Sequence, residues 1–182
     1  HYVEQILISD NPKGPFVPHS DGPVTPKDWE CLDGTLYLSP DNIPYMVFCH
    51  ECVQIHNGTI CYMELSTDLK KAVTSPKLLF HASDASWVRP IGKNNDWLVT
   101  DGSFGDNGYA QAIARSDNGD ITGHWIHEPK LIYENDGGHG MIFRGLDEKL
   151  YLTLHSPNES LLERPHFYEI DELNSTLLIK GY

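Results

Sequence analysis

Ile60-Cys61-Tyr62-Met63-Glu64-Leu65-Ser66-Thr67-Asp68 reads as a β-strand that closes on a serine and an aspartate, and after a polar break a second short strand follows, Pro76-Lys77-Leu78-Leu79-Phe80. The unit recurs. Tyr109-Ala110-Gln111-Ala112-Ile113-Ala114-Arg115-Ser116-Asp117 is followed by a Gly-rich turn, Trp125 and Pro129-Lys130-Leu131-Ile132-Tyr133; Gln5-Ile6-Leu7-Ile8-Ser9-Asp10 is followed by a Gly-Pro turn and Asp21-Gly22-Pro23-Val24. The serines at 9, 66 and 116 set a period of roughly fifty to fifty-seven residues, slightly above that of four-stranded propeller blades. Between the repeats lie paired strands, Thr35 to Leu38 with Tyr45 to Cys49 and Gly140 to Arg144 with Leu150 to His155, while helical periodicity is nearly absent.

These features predict an all-β fold, a β-propeller, with residues 1–182 forming a single incomplete domain. A propeller closes with four or more blades, and this chain has material for about three, so part of the ring is expected to lie on the N-terminal side. Gly102-Ser103-Phe104-Gly105-Asp106-Asn107-Gly108 reads as a turn, which predicts a middle blade of three strands where its neighbours carry four. Trp87, Trp97 and Trp125 recur at blade-like places and are expected in the core between blades.

Composition narrows the function. Apolar residues make up 40% and charged residues 21%, as in an ordinary globular chain. The net charge of −13 argues against nucleic acid or an anionic membrane as partner, because thirteen Lys and Arg are few to neutralise phosphates. No apolar run approaches a membrane span. Cys31, Cys49, Cys52 and Cys61 include one two-residue gap, but the other spacings do not match a zinc knuckle, so buried apolar thiols are the expectation and a zinc module the minor alternative.

In a propeller the inner strands start near the axis, and Asp33 before Gly34, Asp101 before Gly102, and His139 between Gly138 and Gly140 are read at that place. Glycine beside each lets the backbone turn sharply and leaves the neighbouring side chain accessible. A carboxylate at the mouth of a sheet suits acid/base work, although an Asp-Gly pair alone also caps a turn. Trp29 is a candidate stacking platform for a ligand or a packing residue; His50 and Glu51 either line a cleft or end a strand in solvent. Asp10, Asp68 and Asp117 read as turn formers.

The run Thr25-Pro26-Lys27-Asp28-Trp29-Glu30-Cys31-Leu32-Asp33-Gly34-Thr35-Leu36-Tyr37, then Met46-Val47-Phe48-Cys49-His50-Glu51, Thr100-Asp101-Gly102, Gly137-Gly138-His139-Gly140-Met141-Ile142-Phe143, His155-Ser156-Pro157-Asn158 and Glu163-Arg164-Pro165, resembles glycoside hydrolase family 43 over nearly the whole chain. The resemblance implies a five-bladed propeller that cleaves arabinofuranosyl or xylosyl links of plant polysaccharides with inversion, outside the cell or in the periplasm. It implies a pKa-tuning, substrate-orienting role for Asp33 and the general-acid place for Asp101, where an Asp-Gly-Ser turn stands for the family's Glu-Gly-Pro type. The shorter Asp would misplace its proton by about an ångström, and Glu51 and Glu30 are possible substitutes. His139 matches a central His associated with a calcium ion or water cluster, and Arg164 and His155 match later residues near that centre. The family's general base has no counterpart here, so weak hydrolysis is expected. The expected partner is a neutral oligo- or polysaccharide such as arabinan, arabinoxylan or xylan, and the alternative is a catalytically inactive carbohydrate-binding scaffold.

Overall fold

The computed structural model describes residues 2–50, 52–55, 59–81, 90–91, 97–105, 108–173 and 176–182. The chain divides into two compact units, His1–His81 and Ala82–Tyr182. In the first, a two-stranded ribbon, β1 (Leu7–Ile8) and β2 (Val17–Pro18), precedes a four-stranded antiparallel sheet of β3 (Cys31–Leu38), β4 (Pro44–His50), β5 (Thr59–Glu64) and β6 (Lys77–His81), and a one-turn helix, α1 (Cys52–Ile55), joins β4 to β5. The second unit holds two more four-stranded sheets. One runs β7 (Pro90–Ile91), β8 (Trp97–Gly105), β9 (Gly108–Ser116), β10 (Trp125–His127); the other runs β11 (Gly138–Arg144), β12 (Leu150–Ser156), β13 (Arg164–Leu173), β14 (Thr176–Ile179). Within each four-stranded sheet every strand pairs antiparallel with its neighbour in sequence, the up-and-down meander of a propeller blade. The fold is thus all-β, with three blades of a β-propeller. No helix among the described residues is long and apolar enough to cross a membrane.

Hydrophobic patterning explains which strands lie deepest. All seven residues of β4 are buried, as befits a strand inside its sheet and covered on both faces. Phe48, fully buried, packs with Met46, Met63, Leu65, Cys31 and Ile6; burying such a ring is worth about 1.5–3 kcal/mol. In the second unit Ile142, Leu152, Leu154, Ile170 and Leu177 turn to one side and pack with Ile113 and Ile132. The serine and aspartate of the repeat act as turn builders. Ser66 Oγ donates to Asp68 Oδ1 at 2.6 Å, and His124 N–H donates to Asp117 Oδ1 at 2.9 Å. Trp125 is buried and donates its indole N–H to Ile121 O; Trp87 and the Trp97 side chain lie outside the described residues.

Three expectations need correction. The middle blade has four strands, because Gly102–Gly105 continues β8 instead of turning, pairing Gly102 with Ala110 and Gly105 with Gly108. Its outer strand is Trp125–His127, whereas Tyr133 makes only an isolated bridge to Gln111. The partner of β1 is Val17–Pro18, upstream of Asp21–Val24. Cys31, Cys49 and Cys61 are buried and outside any disulfide, as apolar packing residues are.

Candidate functional site

Asp33 and His139 sit in matching backbone devices. Each lies near the start of its sheet's first strand, at a β-bulge: the register jumps from Leu32 to Thr35 in β3 and from Gly138 to Met141 in β11. In each, two residues, Asp33-Gly34 or His139-Gly140, oppose one buried residue, Phe48 or Leu154. Asp33 has φ 63° and His139 φ 53°, the left-handed region that non-glycine residues seldom occupy. Such conformations persist only where neighbours enforce them, and they concentrate at functional positions. The sequence placed Asp33 in a loop before the strand; the structure places it within β3.

In the first unit a carboxyl not anticipated from sequence lies against Asp33-Gly34. The Glu4 carboxyl sits over Gly34, where a Cβ would lie 2.7 Å from its Oε2, and burial pushes that carboxyl above the usual range. The backbone of Glu4 is fixed too: its N–H donates to Thr25 Oγ1 at 2.9 Å and its carbonyl accepts from Val24 N–H at 2.8 Å. Beside it, burial pushes the Cys31 thiol up to about 11.

Trp29 and His50 are brought together. Their rings stack at 4.0 Å and 10°, and the indole also lies against Phe48. His50 is only 8% exposed, so it does not end its strand in solvent. Gln54 of α1 locks the corner: its Oε1 accepts Glu30 N–H and lies 2.8 Å from His50 Nε2, and its amide donates to Asp28 O at 2.9 Å. One indole face is therefore occupied by His50, and only the remaining surface of this half-buried ring could meet a sugar.

In the second unit His139 keeps an exposed edge and packs near Tyr109 and His155, with ring centroids at 6.0 and 5.0 Å. Burial, then the neighbouring His155, holds its pKa below the ordinary value. His155 Nε2 lies 2.8 Å from Asn158 Oδ1, within hydrogen-bonding distance. Asp136, another residue the sequence did not reveal, accepts Tyr109 N–H at 3.2 Å and Asn158 N–H at 3.1 Å, tying the strand to the loop. Calcium takes six to eight oxygen ligands, yet no group of three or more His, Cys, Asp or Glu gathers among the described residues. Around His139, too, the described residues supply no such group.

The other candidates are placed less favourably. Asp101 is the fifth of nine residues of β8, opposite Gln111, and so does not lead an inner strand; its side chain lies outside the described part. Glu51 also lies outside the described residues. Glu30 accepts Tyr2 N–H at 2.8 Å. Arg164, exposed at the start of β13, donates to Leu161 O and Glu163 O, so its guanidinium braces its own loop.

Three antiparallel four-stranded sheets of this topology are the blades of a β-propeller. No protein-family model matches the chain, and no curated protein matches it. Solved structures do. An endo-arabinase from Bacteroides thetaiotaomicron is 31% identical over 94% of this chain and 67% of its own, with a TM-score of 0.82. A thermostable family-43 glycoside hydrolase (19% identity, TM-score 0.79) and an endo-1,4-β-xylanase from Bacteroides thetaiotaomicron (19%, 0.76) match 98% and 96% of this chain and 66% of theirs. The chain belongs to glycoside hydrolase family 43, and spans about two thirds of the length of these structures.

Proposed function

We propose that the chain takes part in hydrolysis of arabinofuranosyl or xylosyl linkages, with arabinan the first substrate to try, outside the cell or in the periplasm. The observation that carries this is Asp33 held in a left-handed bulge within a chain of family 43. There it orients the sugar and tunes the charge around the scissile bond. Inversion needs two carboxyl groups about 6.5–9.5 Å apart, one to protonate the leaving oxygen and one to activate water. Asp101 is the acid candidate and no residue here is assigned as base, so turnover by this chain alone is slow.

A second reading, a sugar-binding propeller without turnover, draws support from Asp101 standing in mid-strand. The two separate when the protein is incubated with arabinan and arabinoxylan while products are followed by proton NMR, alongside calorimetry with arabino- and xylo-oligosaccharides. Released sugar whose first-formed anomer is inverted supports hydrolysis; binding without product supports the scaffold; no binding to either sugar series removes both.

A further inference from the structure

β4 and β12 are the second strands of the first and third four-stranded sheets, yet they differ in cover. All seven residues of β4 are buried, whereas in β12 Leu152 and Leu154 are buried and the alternating Tyr151, Thr153 and His155 stay half-exposed. The buried side of the third sheet packs on Ile113 and Ile132 of its own unit. Its other side is open. There the cross-strand rows bring Met141, Thr153 and Phe167 side by side, with Phe143, Tyr151 and Glu169 in the next row. Phe167 is 63% exposed, and Leu178, opposite Asp171 on β14, is 47% exposed. Phe143 joins the rings, 5.7 Å from that of Tyr151 and edge-on to that of Phe167 at 6.3 Å.

A contiguous apolar face rimmed by polar residues marks an interaction surface. The rim here carries both signs. Glu169 Oε2 and Oε1 lie 2.8 Å from the ammonium groups of Lys149 and Lys180, and Tyr151 Oη donates to Asp147 Oδ2 at 2.8 Å. In a chain of net charge −13 this face, with Lys149 and Lys180 among Glu169, Asp171 and Asp147, is close to balance. Two copies of so acidic a chain repel each other least through this face, and a patch of mixed sign complements itself across a two-fold axis.

We propose that the open face of the third sheet binds a second copy of this chain about a two-fold axis. Phe143 and Phe167 of each copy interdigitate in the middle, and Glu169 of one copy meets Lys149 and Lys180 of the other at the rim. The mode is one the second unit already uses, sheet on sheet through apolar side chains. Four strands about 4.8 Å apart, the first two seven residues long at about 3.4 Å each, give a footprint of about 450 Å² per copy and about 900 Å² in all. That lies below the roughly 1,200 Å² at which stable interfaces begin, so the pair is weak, with a Kd of about 10–100 μM. The proposal goes beyond the sugar chemistry and does not rest on Asp33.

Sedimentation of the whole chain from about 1 to about 500 μM tests it, a range that brackets the expected Kd. Phe167→Glu, Glu169→Lys and the double variant Lys149→Glu/Lys180→Glu are run beside the parent, with circular dichroism checking that each is folded. The parent should pass from monomer to dimer over this range, and Phe167→Glu, at an exposed position, should weaken pairing at least about tenfold. Glu169→Lys turns the Lys149-Glu169-Lys180 cluster wholly positive and the double variant turns it wholly negative, so each alone should be monomeric and the two should pair when mixed. A parent that stays monomeric throughout, a dimer that survives Phe167→Glu, or charge variants that fail to restore one another overturns the proposal. A monomeric parent whose affinity for arabino- or xylo-oligosaccharides falls in Phe167→Glu makes the face a sugar platform, and that also overturns it. Should a charge variant fail to fold, the comparison of parent and Phe167→Glu decides alone.

Discussion

Replacing Gly138 by alanine tests how the second bulge is pinned. A Cβ there would lie 1.9 Å from Cδ1 and Cε1 of Tyr109, whereas carbon atoms settle at about 3.5–4.0 Å, so the ring must retreat by about 1.5 Å or more. It has little room to do so, since the imidazoles of His139 and His155 lie within 6.0 and 6.3 Å of it and Asp136 holds its backbone N–H. Overpacking of this kind costs about 1–3 kcal/mol, and the rigid neighbours place Gly138→Ala at the upper end, about 3 kcal/mol. At about 2–4 °C per kcal/mol for a chain of this size, the unfolding midpoint should fall by about 6–12 °C in a thermal melt followed by circular dichroism. With Tyr109→Ala already present the added methyl meets open space, so the same change should cost about 1 kcal/mol or less, a coupling of about 2 kcal/mol. A midpoint within about 1 °C of the parent, or equal costs in both backgrounds, would refute the reasoning.

Two further outcomes follow from the buried groups. Burial and His155 lower the His139 pKa in the fold, so the unfolded chain binds the proton more readily and stability is lost as pH falls from near 6.5 through the folded value. Urea melts across that window should flatten in His139→Gln, and an unchanged slope counts against it. Cys31, Cys49 and Cys61 are buried, with the Cys31 thiol pushed up to about 11, so at pH 8 they should react with a thiol reagent only as fast as the protein opens. Labelling of these three at the rate of free cysteine would show that the first unit is not packed as described.

The paired strands of the first and third blades were legible because their apolar residues fall between clear turn signals, Pro40-Asp41-Asn42 and Gly145-Leu146-Asp147 among them. The middle blade was not, since Gly102 and Gly105 read as a turn when they are glycines in a paired strand opposite Ala110 and Gly108. β13 and β14 escaped notice because β13 opens on Arg164-Pro165-His166 and exposes most of its length, leaving little alternation to read. For the site, an Asp-Gly pair announces a turn but not its hand, so Asp33 could be named without its bulge. Glu4 carries no local sign of its place over Gly34, thirty positions away in sequence. Gln111 lies over Gly140 in the same way, a parallel visible only once the hydrogen bonds to Tyr2 O and Tyr109 O align the two segments.

The most direct measurement of the central claim is isothermal calorimetry of arabino-oligosaccharides against the parent chain and Asp33→Asn, with circular dichroism confirming that both are folded. Asparagine keeps the size and the left-handed tolerance of the position, so only the charge is removed. The account predicts saturable binding to the parent and affinity at least about tenfold weaker in the variant, a loss of about 1.4 kcal/mol or more. Equal affinity in the two would mean that Asp33 does not face the sugar.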